Sequence, residues 1–153
     1  LTDLMIWLFG PVDKVFASTA KRALKFKTGD VVTASLQHSS GLNTQITAIL
    51  KTPHYQRVTI WGESGWVELV DSSHPDTPGP SFLKLVMNDG TVKEENFEWT
   101  DTVSANIHNF IDSIEGKSKY LFTDVEKFQN ISVLEAIYKS SLSKQNEKVE
   151  SFN

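Results

Sequence analysis

His108 and Asp112 stand one helical turn apart, a spacing at which a carboxylate can orient an imidazole as a general base. On an amphipathic helix the same pair also reads as a plain surface contact. His38, His54 and His74 are scattered and offer no closely spaced ligand set. Glu94, Glu95 and Glu98 alternate poorly for metal binding and read as a solvated strand edge. No Gly-x-Gly-x-x-Gly turn, Walker loop or Gly-x-Ser-x-Gly elbow occurs, so the sequence carries no cofactor motif of its own. The absence of cysteine removes disulfides, thiolate metal sites and thiolate nucleophiles, and fits a cytoplasmic protein. Asn130-Ile131-Ser132 matches a glycosylation acceptor but falls inside a helical apolar pattern, where it reads as chance.

The elements that would carry these groups begin with a helix. Leu1, Leu4, Met5 and Leu8 recur at helical spacing and Gly10-Pro11 stops the run, with no capping residue before Leu1. Residues 1–10 are therefore expected to be the second half of a helix in a longer polypeptide. From residue 12 the pattern alternates with a period of two. Strands are expected at Val12–Thr19, Asp30–His38, Asn43–Lys51, Arg57–Trp61, Trp66–Val70, Phe82–Met87 and Thr91–Trp99. Gly62-Glu63-Ser64-Gly65 and Asn88-Asp89-Gly90 supply hairpin turns, and Asp71–Pro80, with three prolines, reads as a loop.

Two helices close the chain over residues 102–145. The first presents Val103, Ile107, Phe110, Ile111 and Ile114, starts at Asp101 or Thr102 and ends at Gly116. The second opens with a Thr123/Glu126 capping box and presents Phe128, Ile131, Leu134, Tyr138 and Leu142 as its expected buried face. The segment after Ser143 is expected to fray. The sum is a single α+β domain over 1–153: a two-layer, mostly antiparallel (mixed) open β-sheet of six or seven strands across 12–99, with helices on one face. Alternation leaves Thr33, Ser35, Gln37, Gln45, Thr47, Thr59, Trp61, Trp66 and Glu68 on the open face. Two tryptophans there call for a partner, which makes Thr33, Ser35, Thr47, Thr59, Trp61 and Trp66 the candidate interface of a homo-oligomer.

A formal net charge of -4 on a mixed-sign surface argues against nucleic acid. Lys21, Arg22, Lys25 and Lys27 form a small basic cluster with no aromatic platform beyond Phe26, which reads as a solvated loop. No apolar run approaches the roughly 20 residues of a membrane span.

The ordered set Asp3-Leu4-x-x-Trp7-Leu8-x-Gly10, Gly29-Asp30, Ile60-Trp61-Gly62-Glu63-Ser64-Gly65-Trp66-Val67, Asn109-Phe110-Ile111-Asp112-Ser113-Ile114, Phe122-Thr123-Asp124-Val125-Glu126 and Leu134-Glu135-Ala136-Ile137-Tyr138-Lys139-Ser140-Ser141 resembles the C-terminal domain of the Gfo/Idh/MocA family. Trp61 and Glu63 depart from the family's usual turn, where a small or polar residue and Thr are common. The family's members are NAD(P)-dependent oxidoreductases acting mainly on sugars and polyols. The resemblance implies a parent enzyme that oxidises CH–OH groups with NAD or NADP, the dinucleotide being held by an N-terminal Rossmann domain. It also implies a catalytic Lys, Asp and His upstream of Leu1, so this chain holds no catalytic residue, binds no cofactor alone and is expected to be inactive. Asp3 and Trp7 would be the remnant of the active-site helix. Gln37, His38, His54 and Tyr55 are the expected substrate-facing positions for a small molecule. A free-standing, dimerising interaction module and a His108/Asp112 hydrolytic or isomerase dyad are the competing expectations.

Overall fold

The computed structural model describes residues 1–25, 29–74 and 77–151. Phe26 and Lys27 of the basic cluster and Pro75 of the 71–80 loop lie outside the described residues. The fold is α+β, with all named strands antiparallel, and the strands divide between two sheets of four. They belong to two compact units, Leu1–Thr52 with Leu121–Asn153, and Pro53–Tyr120.

The first unit holds α1 (Thr2–Phe9), β1 (Val12–Ala20), β2 (Val31–His38), β3 (Asn43–Ile49), α3 (Asp124–Ser143) and the short β8 (Glu147–Lys148), with sheet order β3-β2-β1-β8. Alternation works as read for Ala34, Leu36 and Ile46, which are buried, while Thr33 faces Thr47 and Ser35 faces Gln45 across the strand pair on the other side; Ala48 and Leu50, on the same phase as Ile46, are exposed where β3 ends. Val12, Val15 and Ala17 of β1 complete the buried face, and α3 packs along them.

α3 buries a different face from the expected one. Its apolar stripe Ile131, Leu134, Tyr138 and Leu142 is exposed and Phe128 is half-buried, whereas Gln129, Ser132, Val133, Ala136, Ser140 and Ser141 lie against the sheet. The reason is steric and polar together. Small side chains let the helix backbone approach β1 closely, and the polar ones satisfy strand groups: Gln129 Nε2 donates to Val12 O at 3.0 Å, and Ser140 Oγ accepts from Ala17 N at 2.8 Å. The capping box at Thr123 and Glu126 forms as expected.

α1 is also rotated from expectation. Thr2, Met5 and Ile6 are buried and Leu1 and Leu8 are exposed, with Thr2 Oγ1 donating to Asn130 Oδ1 of α3 at 2.6 Å. Asn130 is thus a helix-packing residue. The segment after Ser143 does not fray: Lys14 pairs with Lys148, Val149 is buried, and its N–H donates to Asp13 O at 2.8 Å.

The second unit holds β4 (Gln56–Gly62), β5 (Gly65–Asp71), β6 (Ser81–Met87), β7 (Val92–Phe97) and α2 (Thr102–Ile114), its sheet running β4-β5-β6-β7 as a meander. One face carries Val58, Ile60, Val67, Leu69, Leu83 and Leu85, all half-buried. The other carries Thr59, Trp61, Trp66, Glu68 and Lys84. Trp61 stands directly opposite Trp66 and is 76% exposed. The α2 stripe Val103, Ile107, Phe110, Ile111 and Ile114, expected to be buried, is exposed, and no residue of this helix is fully buried. The six candidate interface residues therefore fall on two sheets, Thr33, Ser35 and Thr47 on one and Thr59, Trp61 and Trp66 on the other.

Candidate functional site

The strand register of the second unit places Gln56, Asp71 and Ser81 side by side on three neighbouring strands. By the same alternation they lie on the face that carries Val58, Leu69 and Leu83, at its end. A polar row on an apolar phase ends that face with hydrogen-bonding groups. Beyond it lies a cavity of about 330 Å³, bounded as well by Glu98, Trp99 and Thr100 after β7 and by Thr102 at the start of α2. Asp101 caps that helix, its carboxylate accepting from Ser104 N at 2.9 Å.

Asp71 is the organising group. Its Oδ1 accepts from Ser73 N at 2.8 Å and from Ser81 Oγ at 3.0 Å. Burial pushes this carboxyl up, but the Ser73 amide and hydroxyl, the Ser81 hydroxyl and the charge at His54 outweigh it, so it lies below the ordinary carboxylate value. His54 Nε2 donates to Ser73 O at 2.8 Å, and the His54 and His74 rings meet edge to face at 5.6 Å. Gly79 is required where the loop closes: a Cβ there would come 2.7 Å from Ser72 O, a backbone atom. The cavity thus offers two carboxylates, hydroxyls, an amide, a histidine and one indole. Such a set can hold a hydroxylated compound by accepting from its O–H groups and flanking its C–H surface.

Of the expected substrate-facing residues, His54 braces the cavity's loop, and Tyr55 is exposed next to Gln56, which lines it. Gln37 is exposed on β2 of the other unit. His38 points the opposite way, as alternation requires, and is 1% exposed. Its Nδ1 donates to Gly10 O at 2.8 Å and its Nε2 meets Thr44 Oγ1 at 3.1 Å, so it locks the end of α1 to the sheet. Asp3 and Trp7 share the exposed face of α1, with Asp3 3.0 Å from the terminal ammonium. The dyad does not assemble: His108 Nδ1 donates to Ser104 O at 2.7 Å, and Asp112 lies 3.8 Å from Lys117 Nζ. Glu94 pairs with Lys84 at 2.8 Å on the solvated face.

Asp71, Ser81 and Trp99 were not singled out from the sequence, and Glu98, expected on a solvated strand edge, follows the end of β7 and lines the cavity. The available signal was phase, since Gln56, Asp71 and Ser81 occupy the apolar register of their strands.

The starts of α2 and α3 both carry acidic groups, the Asp101 cap in one and Asp124 and Glu126 in the other. Neither of these ends fits the phosphates of a dinucleotide, which need unopposed N–H groups. Among the described residues there is no group of three His, Asp or Glu side chains placed to hold a metal ion, and no helix long and apolar enough to cross a membrane.

Many solved structures share the fold, among them three oxidoreductases with a named ligand. The WlbA dehydrogenase of Bordetella pertussis, in complex with NADH and UDP-GlcNAcA, is 23% identical with a TM-score of 0.72, covering 99% of this chain and 43% of its own. Aldose-aldose oxidoreductase of Caulobacter crescentus, complexed with glycerol, is 16% identical with a TM-score of 0.78, covering 96% and 44%. An oxidoreductase of Agrobacterium radiobacter, in complex with NAD+, L-tartaric acid and magnesium, is 17% identical with a TM-score of 0.74, covering 96% and 46%. The chain therefore spans less than half the length of these proteins. No curated protein matches it. Residues 1–150 match the family described as "Oxidoreductase family, C-terminal alpha/beta domain", and the chain belongs to that Gfo/Idh/MocA family as its C-terminal domain.

Proposed function

We propose that this chain is the substrate-binding and oligomerisation domain of an NAD(P)-dependent oxidoreductase acting on the CH–OH group of a sugar, polyol or related hydroxy compound. The cavity around Asp71 and Trp99 carries this reading, because its hydroxyl-accepting carboxylates and flat indole suit a polyhydroxylated molecule. The acidic helix starts support placing the dinucleotide on an N-terminal Rossmann domain outside these residues. When bound, the nicotinamide supplies the hydride chemistry. This domain's residues bind and orient: Asp71 and Glu98 accept from substrate hydroxyls, Trp99 covers a carbon face, His54 holds the cavity's loop through Ser73, and Tyr55 is next in sequence to the lining Gln56. Asp3 and Trp7 on the exposed face of α1 meet the cofactor domain. The chain alone is inactive, since hydride transfer needs the reacting atoms about 3–3.5 Å apart and the cofactor lies elsewhere.

The test is steady-state kinetics of the two-domain enzyme with NAD+ or NADP+ and a panel of polyols and aldoses. Trp99→Ala and Asp71→Asn are expected to raise KM at least about tenfold, the loss of one good contact. Unchanged kinetics in both variants, or tight NADH binding by the isolated chain, would overturn the proposal.

A further inference from the structure

The charge of the cavity restricts what can enter it. Asp71 and Glu98 both line it, one of them fixed by Ser73 and Ser81, while no lysine or arginine is among its lining residues within the described part of the chain. Arg57, next in sequence to Gln56, sits on the opposite face of its strand and lies 3.6 Å from Glu68. The other lining groups are Gln56, Ser73, Ser81, Thr100 and Thr102, neutral and able both to donate and to accept, together with the Trp99 indole and one histidine, His74.

We propose that this cavity receives an uncharged, hydroxyl-bearing part of the substrate and rejects carboxylate and phosphate groups. The inference rests on the cavity being a substrate site, as proposed above, and adds a selection by charge. Membership of the family does not decide it, since one solved relative holds glycerol and another L-tartaric acid. Two carboxylates with no lysine or arginine among the described lining residues repel an anion that enters beside them. They reward a hydroxyl group, which donates to carboxylate oxygen in a charge-assisted hydrogen bond. Asp71 keeps its charge across neutral and mildly acidic conditions, because its hydrogen bonds and the nearby His54 outweigh burial and hold it below the ordinary value. The Trp99 indole gives the carbon face of a ring an apolar surface at the same place.

The experiment follows the Trp99 indole N–H by NMR in the full 153-residue chain, its resonance assigned with Trp99→Phe. D-Glucose, myo-inositol and xylitol are titrated against D-glucuronate and L-tartrate. The neutral compounds are expected to shift the indole at millimolar concentration, and the acids to bind at least about tenfold more weakly. Glu98→Gln, at an exposed position, is expected to narrow that gap, and Asp71→Asn to narrow it further. Acids binding as well as neutral compounds would overturn the charge selection and leave the cavity a substrate site. No shift from any probe would overturn both.

Discussion

Ser140 Oγ bridges a strand to the turn after α3: it accepts from Ala17 N at 2.8 Å and donates to Gln145 O at 2.6 Å. β8 pairs only with Lys14 and Val15, so the Ala17 N–H lies past its end and no strand is there to take it. A helix side chain completes the ladder instead. Ser140→Ala leaves that buried N–H without its acceptor, which costs about 1–3 kcal/mol. Urea unfolding of the first unit is the measurement; an unchanged midpoint would mean that another acceptor replaces the hydroxyl.

The same residue explains why one face of α3 was misread in the sequence. Periodicity selects apolar positions, and Ile131, Leu134, Tyr138 and Leu142 satisfy it well. What β1 needs is a thin ridge carrying hydrogen-bonding groups, which Ser132, Ala136, Ser140 and Gln129 provide. Strands were more legible, because alternation is set by the backbone itself and the turn residues at Asn88-Asp89-Gly90 fix where it restarts. β8 was not legible: two polar residues, Glu147 and Lys148, pair through backbone alone. Neither His54 nor Tyr55 lines the cavity, although His54 holds its loop through Ser73, whereas Gln56, Asp71 and Ser81 become neighbours only through register.

Gly65 and Gly90 end different turns of the second sheet and respond differently to a methyl group. A Cβ at Gly65 would fall 2.2 Å from Val86 O and 2.8 Å from Met87 Cα, both backbone atoms of a paired strand. The turn it closes is also tied down, with Asn88 N donating to Ser64 O at 2.9 Å and Asn88 Nδ2 to Glu63 O at 2.7 Å. At Gly90 the space is open and only the positive φ of 86° opposes a side chain. Gly90→Ala is expected to cost about 1 kcal/mol and Gly65→Ala more than about 3 kcal/mol. Thermal unfolding of the two variants side by side tests the ranking, and equal losses would contradict it.

Asp30 gathers three successive backbone amides, those of Arg22, Ala23 and Leu24, at 2.7, 2.6 and 2.6 Å. The Arg22 amide, followed by that of Leu24, outweighs burial and, with Ala23, lowers this carboxyl below its ordinary value. A folded-state pKa below the unfolded one stabilises the native chain fully above the unfolded value, near 3.9, and the benefit fades as pH falls through the folded value. Asp30→Asn is expected to lower the melting temperature at pH 7 and to bring variant and parent chain together at strongly acidic pH. A gap between them that stays constant with pH would remove the carboxylate charge from the explanation.

The register that pairs Trp61 with Trp66 also places Val86 and Val92 in the same row, and the next row runs Thr59, Glu68, Lys84 and Glu94. The sheet face therefore carries an apolar band beside a charged one, with Arg57 3.6 Å and Thr59 3.4 Å from Glu68. An exposed indole next to a paired-charge belt is the composition of an interface centre and its rim. A symmetric pairing of two copies would bury both tryptophans against each other's sheet. Sedimentation of the chain is expected to show a concentration-dependent dimer, and Trp61→Ser with Trp66→Ser to give monomer. Thr33→Arg, on the first sheet, separates the two candidate faces: if it abolishes the dimer and the tryptophan pair does not, the contact runs through Thr33, Ser35 and Thr47. A parent chain that stays monomeric at high micromolar concentration ends the proposal that either sheet face self-associates.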